Sequence, residues 1–137
     1  MTLIVDTGVL VAAADSKDKD HERSASVLTN AAGTLITTAP VIGEAGWNLN
    51  KFLGPEAEAA LYRVVAAGEI NVEELSPDDW TRIAELTEQY GDHPLEGFDA
   101  SLVAIAERLG VETIATLDHR HFRAVRPKHV EAFKLVP

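Results

Sequence analysis

The chain has no cysteine, a single methionine, and aromatic residues at only 6% of its length. Without thiols it can form neither disulfides nor thiolate metal sites and has no cysteine nucleophile, so a reducing interior is the expected environment. No apolar run approaches the ~20 residues that a membrane span requires. The apolar start, MTLIVDTGVL, is short, lacks a basic flank and meets an acid at Asp6, which argues against a signal peptide and toward a soluble cytoplasmic protein. Basic residues are scarce too: 12 against 22 acidic ones, a net charge of −10, which at face value disfavours a polyanionic partner. The deficit is uneven. Residues 118–137 hold five basic side chains, Arg120, Arg123, Arg126, Lys128 and Lys134, against two acids, Asp118 and Glu131, a local +3 that leaves −13 on the rest. A solvated C-terminal face accounts for this as readily as a functional patch does.

What is present is 137 residues with no internal repeat, linker or low-complexity segment. That is the length of one domain, residues 1–137, able to bury roughly two-thirds of its unfolded surface. Its organising stretch is GFDASLVAIAERLGVETIATLDHRHF, residues 97–122. Leu102, Ile105, Ala106 and Leu109 recur at helical spacing, Gly110 breaks the run, and residues 113–117 have the character of a short buried strand. About 11 helical residues cover the same ~16 Å as about five strand residues. A helix lying on a parallel sheet runs opposite to its strands, so its first turn sits where strands end. Asp99 opens the helix and Asp118 follows the strand, so the two carboxylates are expected at one edge.

The same pattern recurs upstream. Leu3, Ile4 and Val5 form a strand ending in Asp6, ahead of a helix over 9–14; Asp6 also suits that helix as its N-cap. A polar loop over 16–20 precedes a helix over 21–32, with His21 a surface histidine at the junction. A β-rich run over 34–38 leads to Pro40 at the first position of the next helix, which puts Glu44 about one turn inside. The helix dipole favours a glutamate there, and its small neighbours Gly43, Ala45 and Gly46 suggest a side chain entering a crowded place. Trp47, Leu49, Phe52 and Leu53 supply apolar bulk before the Gly54-Pro55 break, and a helix over 56–67 follows, with Leu61, Val64 and Val65 inward and Tyr62 and Arg63 outside or in a partner interface. Then come a strand over 70–75, a capping-box start at Ser76, Pro77 and Asp79 for a helix to about Tyr90, and a loop over 91–97. Pro94 forbids a straight continuation through that loop, which brings Asp92, His93 and Glu96 near the Asp99 helix. Residues 119–127 are irregular, and 132–136 make an edge strand. The sum is an α/β protein, a three-layer α/β/α sandwich on a mainly parallel five-stranded sheet.

Four acids, Asp6, Glu44, Asp99 and Asp118, therefore arrive at the strand-end edge. Clustered carboxylates repel and are costly to desolvate unless a cation sits among them. Oxygen ligation with no cysteine and no paired histidine favours Mg²⁺ or Mn²⁺ over zinc. Such ions can hold a phosphodiester, activate a water and stabilise the leaving oxygen, which cuts nucleic acid without a protein nucleophile.

In its blocks IVDTGVLVA, TTAPVIGEAGW and HPLEGFDASLVAIAERLGVETIATLDHRHF the chain resembles the PIN domains, and among them it is most similar to the VapC-type toxins of toxin–antitoxin pairs. The likeness spans almost the whole length, and the last block carries most of its specificity. It implies a PIN-like fold and a Mg²⁺- or Mn²⁺-dependent endoribonuclease with Asp6 and Asp99 as the firmest metal ligands. Glu44 and Asp118 would complete the acidic pocket and help to position the attacking water. Thr7 and Thr116 fall where the family often has hydroxyls, Asp92 matches a frequent acid, and Gly8 departs from a common serine. The resemblance also implies a homodimer, RNA as substrate and a VapB-type antitoxin whose basic segment crosses the site. Arg120, Arg123 and Arg126 would hold RNA phosphates outside the pocket.

Two other hydrolytic or signalling arrangements gather aspartates at such an edge. A receiver-like phosphoacceptor needs a lysine after a late strand, where this chain has Leu117-Asp118-His119; a haloacid-dehalogenase-type enzyme needs an acid where Gly8 stands. The competing reading that survives is a catalytically silent PIN-like module that binds protein.

Overall fold

Element boundaries follow local chemistry. The computed structural model describes residues 2–92, 95 and 97–137, and in it β1 (Leu3–Val5) gives way to α1 (Thr7–Ala14) at Asp6, whose carboxylate accepts a hydrogen bond from the Thr7 amide. Then come α2 (His21–Asn30), β2 (Leu35–Thr38), α3 (Ala39–Leu53), α4 (Pro55–Ala66) and β3 (Asn71–Glu73). The second half holds α5 (Pro77–Gln89), α6 (Gly97–Leu109), β4 (Thr113–Ala115), α7 (His119–Ala124) and β5 (Lys134–Val136). Gly54 (φ 93°) and Gly110 (φ 70°) end α3 and α6 in backbone conformations that side chains disfavour. Ser76 and Asp79 start α5 with reciprocal hydrogen bonds, the expected capping box.

All four strand pairings are parallel, in the order β3-β2-β1-β4-β5. The chain thus winds outward from β1 to β3, then returns to β4 on the other side of β1. Right-handed crossovers place α1 to α4 on one face and α5 to α7 on the opposite one. The reversal falls between β1 and β4, where strand order leaves a crevice at the carboxyl ends. Ile4, Val5, Ile114 and Ala115 in those two central strands are fully buried, as are Leu102, Val103, Ile105 and Ala106 of α6. Among the described residues no helix is long and apolar enough to cross a membrane.

Three details differ from the sequence reading. Residues 119–124, expected to be irregular, form α7, because Phe122 is buried and meets Phe133 edge to face at a centroid distance of 6.4 Å. Of the apolar bulk on α3, only Leu49 is inside: Trp47 is 62% exposed and Phe52 67%. Trp47 lies across the helix from the buried Val41, Ala45 and Leu49, while Phe52 and Leu53 fall in its last turn. The crowding expected around Glu44 is present at Ala45, which is fully buried, and at Gly46, where a Cβ would collide with the Tyr62 hydroxyl of α4, but not at Gly43, where a Cβ would meet nothing within 4 Å.

Two ion-pair clusters clamp α5 to α6. Arg82 grips Glu107 with two bonds of 2.7 and 3.0 Å, and Glu107 also accepts from the Lys128 amide at 2.8 Å. Arg108 Nε donates to Asp79 at 3.0 Å, and its terminal nitrogens reach Glu73 and the Glu74 carbonyl. Burial works against ionisation of Asp79 and Glu107, but these partners outweigh it and hold both carboxyls below their ordinary 3.8 and 4.5. A depressed folded value stabilises above the unfolded one and is lost as pH falls through the folded one. Stability is therefore expected to drop as pH falls below about 4.5. The D79N/E107Q double variant should be weaker at pH 7 yet show a shallower acid slope in denaturant titrations. An unchanged slope would assign the acid sensitivity elsewhere.

Candidate active site

The crevice between β1 and β4 receives its acids from four separate elements. Asp6, next after β1, is 6% exposed, and its amide donates to the Ala115 carbonyl of β4 at 2.9 Å. Its Oδ1 accepts from the Thr7 amide and its Oδ2 from the Thr116 hydroxyl, both at 2.8 Å. The same Thr116 oxygen accepts from the Asp118 amide at 2.9 Å, so one hydroxyl fixes the acid after β1 and the turn carrying the acid after β4. Asp99 stands in the first turn of α6. That turn is anchored by Ser101, whose hydroxyl donates to the Phe98 carbonyl at 2.6 Å and lies 2.7 Å from the Thr38 hydroxyl at the end of β2. Glu44 comes from α3, which begins directly after β2.

Asp6, Glu44, Asp99 and Asp118 line one cavity of about 520 Å³, together with Thr7 and Gly8 at the start of α1. Burial pushes the Asp6 carboxyl above its ordinary 3.8. The Thr116 and Thr7 hydrogen bonds oppose that rise, and repulsion from Glu44 and Asp118 adds to it. The pocket carries more negative charge than its own hydrogen bonds relieve, which is the electrostatic condition for holding a cation.

Among the described residues no three acidic or histidine side chains close into a ready-made ion cage. The acids offer oxygen donors only, the ligand type that a hard divalent ion takes.

The expected accessory residues fare differently. Thr7 is buried in the cavity lining and its hydroxyl has no hydrogen-bond partner among the described residues. Thr116 lies behind the lining as the tie between Asp6 and Asp118. A Cβ at Gly8 would rest 3.7 Å from Leu117, an ordinary contact, so only the hydroxyl of a serine is missing there. Asp92 is exposed and outside the cavity lining, and His93 and Glu96, like Pro94, lie outside the described residues. Arg120, Arg123 and Arg126 are exposed and do not line the cavity; Arg126 Nη1 donates to the Arg123 carbonyl at 3.0 Å.

Two lining residues escaped the sequence reading, Asn48 on α3 and His121 on α7. His121 Nδ1 is 2.5 Å from Asp118 Oδ2 and 3.9 Å from Asp99 Oδ2, close to both but misaligned for a hydrogen bond. The available signal was the i, i+3 spacing of Asp118 and His121, which needs the unexpected α7 to have meaning. His21, expected at the surface, is half-buried and contacts the Ala12 carbonyl through Nδ1 at 2.9 Å.

Comparison with known proteins bears on the family and the fold. The PIN domain profile matches residues 3–127. The chain is 30% identical to Ribonuclease VapC26 of Mycobacterium tuberculosis (strain ATCC 25618 / H37Rv) over 98% of its own length and 100% of the relative's. Among solved structures it resembles Mycobacterium tuberculosis VapC20, a sarcin-ricin loop cleaving toxin, with a TM-score of 0.77 and 20% identity over 82% of this chain and 86% of that one. It also resembles VapBC2 of Rickettsia felis, solved bound to a DNA fragment from the promoter, with a TM-score of 0.69 and 14% identity over 98% and 97%. FitAcB from Neisseria gonorrhoeae is more distant, with a TM-score of 0.57 and 16% identity over 98% and 96%. The profile match over most of the chain and the near full-length match to a VapC ribonuclease show that the chain belongs to the PIN domain family, among its VapC-type members.

Proposed function

We propose that the chain, as one domain, is a Mg²⁺- or Mn²⁺-dependent endoribonuclease, the VapC-type toxin of a toxin–antitoxin pair. The observation that carries this reading is the meeting of Asp6, Glu44, Asp99 and Asp118 on one cavity of a PIN-family chain. Asp6 and Asp99 would hold the ion, while Glu44 and Asp118 would orient the attacking water. Thr116 keeps Asp6 and the Asp118 turn in register. A divalent ion bound there supplies a lowered water pKa and charge relief at the leaving oxygen. Arg120, Arg123 and Arg126, just past Asp118, hold RNA phosphates outside the acids. The surplus negative charge suits a VapB-type antitoxin with a basic segment across the site, and a homodimer is the assembly expected for this group.

Purified protein incubated with total RNA and Mn²⁺ is expected to cleave, to stop completely when EDTA removes the metal, and to resume on adding Mn²⁺ back. Charge reversal of the three arginines should weaken RNA binding, and unchanged cleavage would remove them from the interface. Stable antitoxin binding with no cleavage of any RNA would instead favour the protein-binding module.

A further inference from the structure

Beside the acidic cavity is a second cleft of about 580 Å³, lined by Pro40, Gly43, Glu44, Trp47, Asn48 and Phe98. Glu44 and Asn48 line both, so the two spaces adjoin. Their chemistry is opposite: carboxylates on one side, aromatic and small residues on the other. Trp47 follows Glu44 by one helical turn on α3, and Phe98 immediately precedes Asp99 on α6. An anionic group at the acids is therefore only a turn of helix from a flat apolar surface.

We propose that this cleft is a nucleobase-stacking subsite, holding one base of the RNA next to the phosphate that is cut; the proposal rests on the endoribonuclease reading above. A ribonucleotide has the same division, a charged phosphate one sugar away from a flat π-face. Stacking on tryptophan suits any base and is the common device of single-strand recognition. Trp47 is 62% exposed, a large ring left outside the core. Lys51 Nζ lies 5.1 Å from its centroid and does not line the cleft, so a cation is at hand for a neighbouring phosphate. Gly43 leaves the space open rather than avoiding a clash, since a Cβ there would meet nothing within 4 Å. The occupant is taken as a base because the cleft adjoins the acids to which the nuclease reading assigns phosphodiester cleavage.

The test uses the only other tryptophan, Trp80, which is exposed on α5. In a W80F background, Ca²⁺ replaces Mn²⁺ and a mixed-sequence single-stranded octaribonucleotide is added; Trp47 fluorescence should be quenched saturably. With Mn²⁺ and an oligoribonucleotide that the wild type cleaves, W47A and the cleft-filling Gly43→Leu should each raise KM about tenfold with kcat within about twofold. An abasic nucleotide at one position flanking the cut should reproduce the W47A effect in the wild type and add less than about twofold to W47A itself. Unquenched fluorescence, or abasic and W47A effects that multiply at every position, would overturn the subsite. So would a W47A protein that shifts from dimer to monomer in sedimentation with KM unchanged, which would assign the ring to a contact between copies. A wild type that cleaves nothing yet shows the quench supports the subsite and removes the nuclease.

Discussion

Asp6→Asn is expected to abolish RNA cleavage while raising the melting temperature of the metal-free protein. Asparagine keeps the shape and can still accept from the Thr7 amide, but it removes a charge from a carboxyl that is 6% exposed and faces Glu44 and Asp118. Substituting residues that merely support metal ligands costs about 10- to 100-fold, so losing a ligand should cost at least about 100-fold. The stability gain should be roughly 1 kcal/mol, or about 3 to 4 °C for a chain of this size. The pH dependence has a definite sign. Because the folded carboxyl titrates above 3.8, its penalty builds as pH rises through the folded value, is complete above it, and vanishes in acid. The difference between variant and wild type should therefore be greatest near neutral pH and disappear below about pH 3.8. Saturating Mn²⁺ should shrink it by stabilising the wild type alone. Retained cleavage would remove Asp6 from the metal site, and a lowered melting temperature would mean that its hydrogen bond from Thr116 outweighs its burial.

Phe122→Ala should be the most damaging change away from the acids. Phe122 is 1% exposed and packs edge to face on Phe133, joining α7 to the segment leading into β5. Truncating a buried phenylalanine costs about 3 to 5 kcal/mol, a large part of the 5 to 15 that typically holds a domain together. Calorimetry should show a fall of roughly 10 to 15 °C. Cleavage at a temperature where the variant remains folded should fall as well, because α7 carries His121 and begins at Asp118. Phe122→Leu, which keeps most of the volume, should recover most of both losses. A drop of only a few degrees would mean that α7 is held by something other than this ring.

Much of this arrangement was legible in the residues. The strands announced themselves as short apolar runs, the helices as periodic ones punctuated by Gly54-Pro55, Ser76-Pro77 and Gly110. Asp99 and Asp118 could be placed together because about 11 helical residues cover the distance of about five extended ones and parallel sheets have one carboxyl edge. What stayed hidden depended on contacts between distant segments. Six residues are too few to show a period, so α7 exists in the sequence only through the buried Phe122, and His121 was lost with it. Trp47 looked like core because composition cannot say which side of α3 the sheet covers. Thr116 was anticipated as a hydroxyl near the site, but its double duty toward Asp6 and the Asp118 amide appears only once β1 and β4 are paired.

That pairing also sets when the protein becomes dangerous to the cell that makes it, if it cuts RNA as proposed. Asp6 precedes Asp118 by 112 residues along the chain, and the strand that holds them side by side is the fourth of five in chain order. A nascent chain short of Thr113 has no β4 to fix Asp6 and no Asp118, so it has no cleavage site. The messenger and the ribosome are thus shielded from the product until both halves of the sheet have been made.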